Sequence, residues 1–151
     1  MMILIAFLCV SSVIIFNVNA FDLQFQFGKG LNANQQTVFT QAANKWTSII
    51  TGSFGSTITI KAGTAVCNQQ PTANDVTVTD MLVFADSQPI DGVGGANVQV
   101  GVCGVDNANN NRLGFILFDS ADIANLQTAG TFNTIVLREF ALHTTISVHA
   151  Y

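Results

Sequence analysis

The sequence predicts an α+β fold: a mixed twisted sheet of four to five strands with two helices packed on it. Three observations carry this. Phe21 to Phe27 alternates apolar and polar residues. Val38 to Ile50 places apolar residues at three- and four-residue steps. Arg112 to Phe118 is apolar on both faces and is followed by a second helical pattern from about Phe132 to His143. A period of two belongs to a half-buried strand, and a period near 3.6 to a helix lying on a core. Strands bracketed by helices, with no linker and no repeat, make one layered domain.

The first strand puts Phe21, Leu23, Phe25 and Phe27 on one face and Asp22, Gln24 and Gln26 on the other; Gly28-Lys29-Gly30 ends it. The first helix is capped by Asn32 or Asn34, and Gln35 stands three residues after Asn32, the spacing of a capping box. Its apolar stripe is Val38, Phe39, Ala42, Ala43, Trp46, Ile49 and Ile50, with Gly52 as the stop. Trp46 belongs to that stripe as a core residue. Ser56 to Ala62 reads as a strand with Ile58 and Ile60 inward, and Cys67 to Asp75 as a loop around Pro71. Within Val76 to Phe84, Asp80 to Phe84 is the better strand. Ala85 to Val102 contains Asp91-Gly92-Val93-Gly94-Gly95 and reads as a flexible loop or bulged hairpin. Its glycines lack the G-x-G-x-x-G spacing of a phosphate cradle. Asp106 to Asn111 is a turn, Arg112 to Phe118 a central strand, and Asp119 to Asp122 caps a short helical turn through Gln127.

Composition narrows the setting. Residues 1–20 are almost continuously apolar to Phe16 and end in Val18-Asn19-Ala20. That pattern predicts a secretory signal peptide cleaved after Ala20, leaving 21–151 as the mature, secreted, extracellular domain with no membrane attachment. Charged residues make up 9% of the chain and its five Lys and Arg form no patch, so nucleic acid is not an expected partner. Cys9 lies in the signal. Cys67 and Cys103 remain, and in an oxidising compartment the pair predicts a disulfide. There is no C-x-x-C to make it a redox or metal site. No N-x-[ST] acceptor is present.

Four stretches, in this order, resemble the upper subdomain of metzincin zinc peptidases, and leishmanolysin-like secreted peptidases most of all. They are Phe39 to Ile50 with its Ala42-Ala-Asn-Lys-Trp46, Ala85 to Gly95, Phe118 to Ile123, and Thr131 to Leu137. The resemblance implies a zinc endopeptidase ancestry, a peptide or protein substrate, and a cleft between an upper and a lower subdomain. By it, 21–151 is expected to be a truncated upper subdomain.

The resemblance also implies that Leu137 leads into H-E-x-x-H. Two His four apart share one helix face and bind zinc, and the Glu between them polarises the metal-bound water. Here Arg138 stands where the first His belongs, Glu139 keeps the place of the general base, and Leu142 replaces the second His. Arginine stays protonated without a free lone pair, and leucine has no donor atom. The expectation is a chain without bound zinc and without activity, its Glu139 vestigial and paired with Arg138 or facing solvent. A second register places Glu139, His143 and His149 at x, x+4 and x+10, the ligand spacing of H-E-x-x-H-x-x-G-x-x-H. It would put Phe140 at the base position and Ile146 at the glycine turn, so metal would bind weakly and hydrolysis would lack its base. Glu139-Phe140 running straight into Ala141-Leu142 also suggests a skipped Gly-His in the gene model. The alternative functions are a secreted peptide-binding pseudoenzyme and a non-functional gene fragment. The carboxylate pairs Asp86 with Asp91, and Asp119 with Asp122, read as turn and cap residues in preference to a calcium site.

Overall fold

The computed structural model describes residues 21–145, with side chains through Ala141. The predicted signal peptide and His149 lie outside these residues, and the side chains of Leu142 and His143 are not among those described.

The chain runs β1 (Leu23–Phe27), α1 (Ala33–Thr47), β2 (Ile58–Ile60), a single 3-10 turn (Val66–Asn68), β3 (Val76–Val78), β4 (Met81–Gln88), β5 (Val98–Val105), β6 (Asn111–Asp119), α2 (Ile123–Thr128) and α3 (Phe132–Thr145). This is an α+β architecture with a mixed sheet. The sheet has four strands in the order β1-β4-β6-β5. β4 is parallel to both β1 and β6, and β5 is antiparallel to β6. β2 and β3 form a separate antiparallel ribbon.

The local signals produce their elements. β1 turns Phe21, Leu23, Phe25 and Phe27 towards the main core. α1 starts in a capping box: Asn32 Oδ1 accepts from the Gln35 N–H at 3.0 Å, and Gln35 Oε1 accepts from the Asn32 N–H at 2.8 Å. The helix ends at Thr47, earlier than its apolar stripe suggests. The Ser48 and Thr47 hydroxyls bond carbonyls of the last turn, and the N–H groups of both Ile49 and Ile50 turn back to the Trp46 carbonyl. Ile49 is therefore exposed instead of inward.

Two cores flank the sheet. Between sheet and helices, the fully buried Phe39 of α1 is the hub, its ring centroid 5.9–6.2 Å from those of Phe25, Phe27, Phe118, Phe132 and Phe140. On the other face, Leu82, Phe84 and Leu117 pack against Val66, Ile60 and Val78. β4 is sandwiched between these layers, which removes the alternation that marks a half-buried strand.

That is why the expected loop Ala85 to Val102 differs from the observed structure. β4 continues through Ala85, Asp86 and Ser87 to Gln88, pairing Gln88 with Asp119, and β5 begins at Val98. Only 89–97 connects them. The bulge is real but sits in the β5–β6 ladder, where the register shifts between Val102 and Gly104. The 56–62 strand also shrinks to Ile58–Ile60 and leaves the main sheet.

Polar side chains hold the loops. Arg112, 1% exposed, donates from Nη2 to the carbonyls of Ser56, Val78 and Thr79 at 2.8, 3.1 and 2.8 Å, and from Nη1 to Ser56 Oγ and Asp106 Oδ2 at 3.2 Å. Its guanidinium also lies 5.4 Å from the Phe54 ring centre. Asp80, fully buried, accepts from the Asp22 N–H, the Ser53 hydroxyl and the Phe54 N–H. The Cys67–Cys103 disulfide is formed and ties the 3-10 turn to β5. Cys67 and Asn68 next to it both take the left-handed conformation, with φ of 53° and 60°.

The candidate active-site helix and its surroundings

α3 follows a helix stop. Gly130, with φ of 70°, lets its own N–H reach the Gln127 carbonyl and the Thr131 N–H the Leu126 carbonyl, a Schellman closure of α2. α3 then buries Phe132, Val136, Glu139 and Phe140, spaced at one, two and two-plus turns on a single face. Trp46 Nε1 donates to the Leu137 carbonyl at 2.9 Å, which fixes α3 against α1. Trp46 thus has the structural place its stripe implied.

Glu139 sits on the buried face, its side chain 3% exposed, while that of Arg138 is 66% exposed. The guanidinium folds back over its neighbour. Nε and Nη2 donate to the same oxygen, Glu139 Oε1, at 2.9 and 2.6 Å. Pairing with Arg138 is one of the two fates the sequence offered this carboxylate; exposure to solvent is not observed.

The residues at 138, 139 and 142 do not fit a peptidase zinc. Arg138 is a cation where the resemblance expects a neutral imidazole, Leu142 has no donor where it expects a second, and one Glu139 oxygen already accepts two charge-assisted bonds. Among the described residues, no group of three His, Cys, Asp or Glu side chains is arranged to hold a metal ion. His143 lies on the last turns of α3 by its backbone.

The acidic residues near β4 and β6 are occupied by backbone. Asp119 Oδ1 accepts from the Ala121 N–H at 2.9 Å, and Oδ2 from the Asp91 and Gly92 N–H groups at 3.0 and 2.8 Å. These donors, Ala121 first and then Asp91, hold the Asp119 pKa down to about 2. Asp122 occupies the N-cap position of α2 but makes no cap bond with its side chain, which accepts from the Gly94 N–H instead. Asp91 accepts from the Ala96 N–H, and Asp86 from those of Gly30 and Ser87. The expected turn role holds for Asp91 and Asp119, whereas no helix is capped by these side chains: Asp122 braces the 92–96 loop in place of its helix, and Asp86, inside β4, holds Gly30 of the β1–α1 connection.

β5 lies beside α3 at the sheet margin. No strand pairs with its outer side among the described residues. A groove of about 380 Å³ lies at the opposite margin, lined by Gln24 to Phe27 of β1 and by 70–74. It includes no residue of α3, so it is separate from Glu139. Sequence reasoning missed the anchors Arg112 and Asp80. The available hint was a lone cation, and a lone carboxylate, each opening an otherwise apolar strand.

No protein-family model matches the chain, and no curated protein matches it.

Proposed function

We propose that this chain is a catalytically silent, secreted relative of the leishmanolysin-like metzincin zinc peptidases. The observation that supports the reading is the state of Glu139. It stands at the general-base position of the resemblance, on a helix packed over a mixed sheet, with Arg138 bound to its carboxylate where a zinc ligand would be. A carboxylate held by a guanidinium, beside an arginine and a leucine that cannot ligate zinc, is not placed to activate a water. Zinc analysis and casein hydrolysis of the purified protein test this: no stoichiometric zinc and no cleavage are expected. One tightly bound zinc with chelator-sensitive proteolysis would overturn it.

The unpaired outer side of β5 favours a second reading, retention of an extended peptide by strand addition without cleavage. Main-chain hydrogen bonds along an edge give affinity independent of catalysis. Fluorescence anisotropy with labelled extended peptides tests it, and binding no better than that of proline-substituted controls counts against it.

A further inference from the structure

We infer that β5 is a dimer seam, at which a second copy of this chain pairs antiparallel with its outer edge about a two-fold axis at Val100. The strand reads Val98-Gln-Val-Gly-Val-Cys-Gly-Val105. It has no charge and no proline, two of the features that ordinarily keep a free edge from pairing, and its bulge, a third, is confined to Val102–Val105. The sheet's other edge is managed differently. β1 is five residues long, and segment 70–74 lies beside it, with Gln26 Nε2 donating to the Gln70 carbonyl at 2.8 Å. One edge strand is five residues long with segment 70–74 beside it; the other is eight residues long and, among the described residues, has no strand on its outer side.

The side chains point to the same occupant. Val98 and Val100 sit at the rim of the main core and are only partly buried. Of the three large exposed apolar residues among those described, Val93 precedes β5 and Val105 ends it. A charged or polar partner would leave this Val row unmatched, whereas a second β5 supplies an identical row. The register shift between Val102 and Gly104 limits regular pairing to Val98–Val102, whose centre is Val100. An axis normal to the sheet there sets Val100 against the partner's Val100, Val98 against the partner's Val102, and Gln99 against the partner's Gly101. It also keeps each Val row on the helix side of both sheets, so opposed Val side chains bury one another. Two four-stranded sheets become one eight-stranded sheet with a self-complementary interface. The inference does not depend on peptidase ancestry, and an extended peptide using this edge would compete with the second copy.

Sedimentation velocity of the purified protein tests it. A concentration-dependent dimer is expected. Val100→Lys sets two ammonium groups across the axis and is expected to weaken dimerisation about tenfold or more. Val100→Thr, still β-branched, keeps the dimer and reports that the position tolerates substitution. Val100→Cys is expected to give an interchain disulfide on mild oxidation, whereas Thr57→Cys, exposed and away from β5, gives none. A monomer at every concentration overturns the inference, as does a dimer that Val100→Lys leaves intact while Val100→Cys fails to cross-link.

Discussion

Arg138 donates through Nε and Nη2 to one oxygen of its sequence neighbour Glu139, although adjacent helix residues point in different directions. The arginine reaches across because its stem is long and its partner is buried. Most of its side chain stays in water, so the pair gains little as an ion pair; its importance is that it satisfies a carboxylate 3% exposed. Arg138→Ala is therefore expected to destabilise by about 1–3 kcal/mol, the cost of leaving a buried acceptor without its donor. Replacing both residues, Arg138→Leu with Glu139→Leu, is expected to cost less, since no buried charge remains. Urea melts of the three proteins decide this, and an Arg138→Ala midpoint equal to that of the unaltered protein refutes it.

Arg112 carries a larger share of the architecture. It is the only described group bridging the segment before β2, the β3–β4 turn and the β5–β6 turn at once. Arg112→Met removes donors from buried carbonyls and is expected to cost about 3–5 kcal/mol. Arg112→Lys is expected to lose most of the same stability, because one ammonium on a flexible stem cannot span Ser56, Val78, Thr79 and Asp106. Equilibrium denaturation checks both; a lysine variant as stable as the parent would show that charge, and not the guanidinium fork, is what matters.

These two arginines show what was legible in the sequence. The capping box of Asn32 and Gln35, the alternation of β1 and the stripe of α3 are local patterns, set by residues within a turn or two of each other. Arg112 and Asp80 bond to segments up to 58 residues away, and nothing adjacent to them announces it. β4 past Phe84 was hidden for a related reason: a strand buried on both faces loses its period, and the carboxylate of Asp86 is tolerated there because the N–H groups of Gly30 and Ser87 meet it. At the candidate site, the Arg138–Glu139 pairing was readable from adjacency. The spacing of Glu139 with Phe132, Ile135, Val136 and Phe140 was also readable; that this face is the packed one, so that the carboxylate lies inward, required the structure.

The disulfide closes a 36-residue separation between the 3-10 turn and β5. In the chain-entropy account, a loop of that size stabilises by about 4 kcal/mol by restricting the unfolded chain. Cys67→Ser with Cys103→Ser is expected to lower the urea midpoint accordingly, with the protein still folding, because Val66 keeps its own buried contacts. Free thiols titrated in the unreduced, denatured parent would show that the cross-link does not form.

Acid should unfold the protein partly through Asp119. Its pKa is lowered from 3.8 to about 2 by N–H groups of Ala121, Asp91, Gly92 and Ile90. A carboxyl whose folded pKa lies below its unfolded value stabilises fully above the unfolded value, and that contribution disappears as pH falls through the folded one. The stabilisation from Asp119 is thus complete above about pH 5 and declines between about pH 4 and pH 2. Asp106, also held near 2, chiefly by the Asn110 side chain and backbone, adds a second component over the same range. Asp119→Asn keeps the shape but places an amide among donors, so a lower Tm at pH 7 is expected. Its acid limb should be shallower than the parent's, with Asp106 supplying the remainder. Thermal melts from pH 7 to pH 2 check this. If the variant and parent lose Tm in parallel across the acid range, the Asp91-Gly92 amides do not hold the Asp119 charge.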